Sequence, residues 1–106
     1  MTAEDKTILE KLKRKLMEEN IPLYDLILFG SRARGDAEPD SDFDILVIVH
    51  EKNPMIRRKV RDCAWEVGFE SDVVIQSLVR SKAEVDEGPE KFSLFFKAIE
   101  QEGIHV

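Results

Sequence analysis

The chain has 106 residues, of which 42% are hydrophobic and 36% charged, with a net charge of −6 at pH 7. That length suits one domain, residues 1–106, with one core burying roughly two-thirds of the unfolded surface, and the acidic balance argues against sequence-independent binding of DNA or RNA, which needs a basic face. Cys63 is the only cysteine, so no internal disulfide forms and a reducing cytoplasm is the natural setting, while the Lys/Glu-rich start is no signal peptide and no apolar run reaches membrane-spanning length.

Residues 3–20 read as an amphipathic helix: Ile8, Leu9, Leu12 and Leu16 recur at helical spacing, with acids at the positive end of the dipole. Asn20-Ile21-Pro22 stops it. An apolar run rich in branched residues then predicts a first strand at 24–29, and a second follows at 43–49. Pro54 suits the first position of a new helix, whose inner face carries Ile56, Val60, Cys63, Ala64 and Val67 and which Gly68 is expected to end. Asp72-Val73-Val74-Ile75-Gln76 predicts a third strand. A helical turn near 81–86 and a helix near 89–102 follow, with Phe92, Phe95, Phe96 and Ile99 as the buried stripe. Ile104-His105-Val106 either form a short strand or pack.

The second strand, its helix and the third strand form a βαβ unit, so these two strands run parallel with a right-handed crossover. The short irregular loop from the first strand to the second favours an antiparallel pair. The expected fold is therefore α/β, a small mixed three-stranded sheet flanked by helices. Its topology gathers Gly30-Ser31, Asp42-Phe43-Asp44 and Asp72 at one edge.

Asp42 and Asp44, two apart on a strand, point to one face about 6–7 Å apart along the backbone. With Asp72 opening the neighbouring parallel strand, three carboxylates would share one space and repel unless a cation neutralised them. Oxygen ligands of this kind select Mg²⁺ or Mn²⁺, and Mg²⁺ shares its shell between carboxylates and a substrate's phosphates. The bland alternative is three strand-entry acids on a solvated rim. Gly30-Ser31 opens a turn whose glycine admits close backbone approach and whose free N–H groups suit an anion. Ser31 adds a hydroxyl, and Arg32 or Arg34 a cation for a triphosphate. A Walker A loop is excluded because Asp36-Ala37 stands where Lys and Ser/Thr belong. An EF-hand is excluded because Ser41 replaces the turn glycine and Val47 the bidentate glutamate.

Gly30-Ser31, ten intervening residues and Asp42-Phe43-Asp44 resemble the G-S-x10-D-x-D signature of the DNA polymerase β-like nucleotidyltransferase superfamily. The size and the Asp72-Val73-Val74 segment resemble its minimal nucleotidyltransferase (MNT) domains, and the resemblance covers nearly the whole chain. It implies the polymerase β-like fold, with Gly30 and Ser31 holding triphosphate, Arg34 touching phosphate, and Asp42, Asp44 and Asp72 acting as catalytic metal ligands. It further implies transfer of a nucleoside monophosphate, AMP from ATP, to a hydroxyl. MNT domains of the MntA type are often antitoxins paired with a HEPN-family toxin, silenced by AMP attached to a tyrosine, so such a toxin is the implied partner, in a homo- or hetero-oligomer. Two other functions stay open: a non-catalytic antitoxin that occludes its toxin, and a small-molecule nucleotidyltransferase.

The remaining polar features carry less. Arg57, Arg58, Lys59 and Arg61 form a basic patch that either contacts a partner or RNA phosphates or is a solvated helix face. Cys63 reads as a small buried hydrophobe. His50 and His105 lack partners at zinc-ligand spacing. Trp65, Phe92, Phe95 and Phe96 read as core, with part of the phenylalanine surface open to the alternative of a dimer or toxin interface.

Overall fold

A strand buried on both faces needs a layer of helix on each side. In the computed structural model, which describes all of residues 1–106, the strand β2 (Phe43–Val49) is of this kind. Its Phe43, Ile45, Val47 and Val49 enter one apolar cluster, and Leu46 and Ile48 enter another. Two helices, α1 (Ala3–Glu18) and α3 (Pro54–Ser71), cover the first face with Leu9, Leu12, Leu16, Val60, Cys63 and Val67. The helix α5 (Leu94–Glu102) covers the second with Phe96 and Ile99. No helix is long and apolar enough to cross a membrane.

The sheet also contains β1 (Leu23–Phe29), β3 (Ile75–Ser81) and β4 (Ile104–His105), in the order β3-β2-β1-β4. As expected, β1 and β2 are antiparallel and β2 and β3 are parallel. The terminal residues add a fourth strand, Ile104 and His105 pairing antiparallel with Leu28 and Ile27. The α/β expectation holds with one more strand than the three read from the sequence.

Local chemistry explains most boundaries. Thr2 caps α1 in a reciprocal box: the Asp5 N–H donates to Thr2 Oγ1 at 3.0 Å and the Thr2 N–H to Asp5 Oδ2 at 3.3 Å. Lys11–Glu70 and Lys15–Glu66 ion pairs join α1 to α3 across their outer edges. Burial pushes the Cys63 thiol pKa up, as befits a small apolar filler.

Three expectations are corrected. The helix α3 does not end at Gly68 but runs to Ser71, and Asp72 caps it in the left-handed conformation at φ 58°. Gly68 serves another purpose: a Cβ there would lie 2.7 Å from the Val73 carbonyl oxygen, so the returning chain packs against it. This turn consumes Asp72 to Val74, so β3 starts at Ile75 instead of Asp72. The last helical stretch is broken in two: a 3₁₀ turn (Pro89–Phe92) follows α4 (Lys82–Glu87), and Ser93 restarts the chain by accepting the Phe96 N–H. That break leaves Phe92 70% and Phe95 48% exposed, with Phe96 buried at 5%, and Trp65 likewise lies on the outside of α3.

The exposure difference sets an expected outcome. Phe96→Ala is expected to cost about 3–5 kcal/mol and Phe92→Ala no more than about 0.5 kcal/mol, as read by urea unfolding.

Candidate active site

The end of β1 lies beside the start of β2, with Phe29 directly opposite Asp44. Gly30 follows at φ +76°, and a Cβ on it would sit 2.5 Å from Asp44 Oδ2. Glycine is therefore required twice, for a conformation that L side chains rarely adopt and for the space the carboxylate occupies. Ser31 then begins a single helical turn, α2 (Ser31–Arg34), which Gly35 ends in the left-handed region. The first N–H groups of that turn have no carbonyl within the helix to bond.

Along β2, Asp44 shares the face of Leu46 and Ile48, the side covered by α5. Asp42 precedes it by two residues on the same side. Burial holds the Asp44 carboxyl above its ordinary range, the Asp42 charge adds to this, and Arg34 pulls it partly back. A half-buried carboxylate pushed toward its protonated form by burial and by the charge of a second one beside it makes a site that favours a cation.

The third member differs from expectation. No third Asp, Glu, His or Cys joins Asp42 and Asp44 in a group able to hold a metal ion. In the parallel register, the residue of β3 opposite Asp44 is Gln76, and its Nε2 donates to Asp42 Oδ2 at 2.7 Å. Asp72, whose backbone N–H closes the end of α3, lines a groove between that helix and β3. The expectation of a third carboxylate at this site is corrected: an amide stands there. A strand start read three residues too early concealed it, and the βαβ register is the signal that would have found it.

The two arginines also part company. Arg32 is buried, contrary to the expectation of a phosphate contact. Its Nη1 donates to Asp5 Oδ1 at 3.0 Å, its Nε to the Ser41 carbonyl at 2.9 Å, and its Nη2 to the carbonyls of Ser41 at 2.6 Å and Pro39 at 3.1 Å. Its guanidinium carbon lies 4.1 Å from the centre of the Phe43 ring. Arg32 thus ties α1, α2 and the loop before β2 together. Arg34 is half-exposed near Asp44, held by Asp36 at 3.3 Å and by Glu102 of α5 at 3.4 Å. The sequence does not single out Asp5 or Glu102 for this region: Asp5 reads only as one of the acids at the start of α1, and nothing local marks Glu102.

Residues 7–100 match the nucleotidyltransferase domain family, and the chain belongs to it. A candidate protein adenylyltransferase of Methanocaldococcus jannaschii, MJ0141, is 34% identical over 58 residues; the alignment spans 54% of this chain and 59% of that protein. Among solved structures, a toxin–antitoxin with AMP-PNP superposes with a TM-score of 0.65 at 18% identity, covering 91% of this chain and 69% of that one. The toxin–antitoxin MntA–HpeT, in a mutant form with two Asp-to-Glu changes, gives 0.61 at 17% identity, covering 98% and 72%. A candidate nucleotidyltransferase from Sulfolobus solfataricus gives 0.53 at 22% identity, covering 99% and 86%. At these identities the structures establish a shared fold.

Two outcomes follow from the geometry. Arg32→Ala strands a buried carboxylate and is expected to destabilise the fold by about 3–5 kcal/mol, whereas Arg34→Ala leaves the urea midpoint almost unmoved. For Asp44 the folded pKa lies above the unfolded one, so the native state binds more protons and loses stability as pH rises through that window. Asp44→Asn is therefore expected to melt a few degrees higher than the parent at neutral pH without divalent ions, as about 0.5–1 kcal/mol gives in a domain of this size. Added Mg²⁺ should raise the melting temperature of the parent and not of the variant, in differential scanning calorimetry.

Proposed function

We propose that this chain is a nucleotidyltransferase that moves AMP from ATP onto a hydroxyl of a partner protein, and that the partner is a HEPN-family toxin whose tyrosine is modified. The observation that carries the reading is the packing of Gly30 against Asp44, with Asp42 on the same face, in a chain of the nucleotidyltransferase family. The candidate adenylyltransferase from M. jannaschii and the toxin–antitoxin neighbours support the choice of donor and partner.

In this reading Asp42 and Asp44 hold Mg²⁺ or Mn²⁺. The donor set fits, because Mg²⁺ is commonly held by one or two carboxylates together with substrate phosphates, and burial of Asp44 beside Asp42 leaves a deficit of positive charge. When bound, such ions supply the charge that stabilises the phosphoryl group under attack and the departing pyrophosphate.

The residues of the chain do the positioning. Gly30 and Ser31 receive the triphosphate at backbone N–H groups and a hydroxyl. Arg34 offers a guanidinium within electrostatic range of Asp44. Gln76 fixes the orientation of Asp42 through its amide. The tyrosine oxygen bonds the α-phosphorus as the hydroxyl passes its proton to solvent water, the bond from that phosphorus to the β-phosphate oxygen breaks, and pyrophosphate leaves. Holding acceptor and donor in line is the main contribution asked of the protein.

A second reading is favoured by one observation, the amide of Gln76 in place of a third carboxylate. In that reading the chain neutralises its toxin by covering it and keeps the nucleotide pocket without turnover.

Incubation of the purified chain and its partner with α-labelled ATP and Mg²⁺ separates the two. Transfer predicts label on the partner, lost by about 100-fold or more in Asp42→Asn, the scale of losing one transition-state contact, and essentially unchanged in Asp72→Asn. Absence of label, with Asp42→Asn still binding and silencing the partner, would establish occlusion.

A further inference from the structure

The sheet ends on one side at β3, seven residues long, which pairs with β2 alone. A strand in that position presents unpaired backbone N–H and C=O groups, and folded proteins ordinarily cover or blunt such an edge. Here, beside the edge, a groove runs between β3 and α3.

The groove has two chemically different ends. At the start of β3 it has a volume of about 900 Å³ and is lined by Trp65, Phe69 and Val74, which are 67%, 75% and 58% exposed. Trp65 and Phe69 stack, their ring centres 5.3 Å apart and their planes 12° from parallel. Asp40 and Asp72 line this end as well. At the end of β3 the groove continues over about 380 Å³ lined by Arg57, Arg58, Arg61 and Arg80. Arg61 and Ser77 line both parts. Arg57, Arg61, Trp65 and Phe69 fall four residues apart on α3, so one helical stripe follows the strand from cation to aromatic.

The chain carries a net charge of −6, yet this end of the groove gathers four arginines; elsewhere Lys11, Lys15 and Lys52 are paired with Glu70, Glu66 and Glu84. Arg80 is paired with Glu90. Arg57, Arg58 and Arg61 enter none of the ion pairs of the fold. Three guanidiniums outside any ion pair, beside a strand edge on which Arg80 Nη1 meets the Val79 carbonyl at 2.8 Å, call for carboxylates delivered on an extended backbone.

We propose that an extended segment of a partner protein, apolar at one end and acidic at the other, adds to β3 as a fifth strand in this groove. Main-chain hydrogen bonds to the β3 edge supply affinity, an apolar side chain covers the Trp65–Phe69 pair, and carboxylates meet Arg57, Arg58 and Arg61. The edge short of Val79, where β3 has no second strand beside it, is what selects a peptide over a nucleic acid: phosphodiesters would use the arginines and aromatics and leave the strand unpaired. The body charge also opposes a long polyanion. This site lies on the α3 side of the sheet and does not depend on the transfer reaction.

The test is a nitrogen-15 NMR titration of the full chain with a blocked peptide of alternating glutamate and valine carrying one terminal phenylalanine, up to millimolar concentration. Amide resonances of residues 75–81 are expected to shift, and the double variant Arg58→Glu/Arg61→Glu to weaken binding by about tenfold or more. The same peptide methylated on alternate backbone nitrogens is expected not to bind. Unmoved β3 resonances, or equal binding of the methylated peptide, would overturn the proposal. Tighter binding of a uridine dodecamer with the same arginine dependence would reassign the groove to RNA and likewise overturn it. Sedimentation closes the last route: a dimer dispersed by Arg58→Glu/Arg61→Glu would give the edge to a second copy of the chain.

Discussion

The arrangement at the sheet edge depends on the guanidinium of Arg32. Between β1 and β2 the chain crosses Asp36, Glu38, Asp40 and Asp42, four acids with alternate residues between them. Left to itself such a loop would spread to separate its charges. Arg32 prevents this by taking the carbonyls of Pro39 and Ser41 and the side chain of Asp5 in one planar fork, with the Phe43 ring beneath it. Lysine has neither the fork nor the flat face and could not replace it. A buried ion pair is a poor source of stability, since desolvation offsets most of the attraction. Its value here is position: it settles where Ser41 ends and therefore where Asp42 begins. The capping box of α1 is part of the same device, because Asp5 serves Thr2 with one oxygen and Arg32 with the other.

The pair Asp42 and Asp44 shows the opposite balance. Nothing in the fold needs two carboxylates on a half-buried face, and Asp44 is held in a state of raised proton affinity. Gly30 adds to the cost, since its left-handed conformation exists to leave room for that carboxylate. Local rules broken together at one place, and satisfied elsewhere, are what a site looks like when it is shaped by chemistry and not by folding.

How much of this was legible depended on whether neighbours in sequence or neighbours in space set the outcome. The apolar spacing of Ile8, Leu9, Leu12 and Leu16 placed α1 correctly, and the branched runs placed β1 and β2 to within a residue. Parallel and antiparallel directions followed from connection length alone. The start of β3 did not, because Val73-Val74-Ile75 is equally apolar whether it belongs to a strand or to the turn that closes a helix. Only the contact of Gly68 with the Val73 carbonyl decides it. That error of three residues exchanged Asp72 for Gln76. Arg32 and Arg34 were indistinguishable for a similar reason: two apart on one helical turn, they point in different directions, and no sequence rule says which is inward. Phe96 and Ile99 are interior as the stripe predicts, but Phe92 and Phe95 are not, because the stripe was read over a helix that Ser93 interrupts.

The alternation of side chains along a strand separates the two surfaces discussed. Asp42, Asp44 and Gln76 look toward α5, while Phe43, Ile45 and Ile75 look toward α3. The sheet between them is a packed layer, so a ligand on one side has few direct routes to the other. Gln76 is the exception. It lines the groove beside α3 and donates its amide to Asp42 across the strand edge. A strand added to β3 would fix the backbone on either side of Gln76 and hence the orientation of that amide. Were that amide to take two arrangements, the two surfaces would be coupled by the free energy between them, and by linkage the influence would run in both directions. A neutral amide at this position touches both the groove and the carboxylate pair without adding a third negative charge beside Asp42 and Asp44.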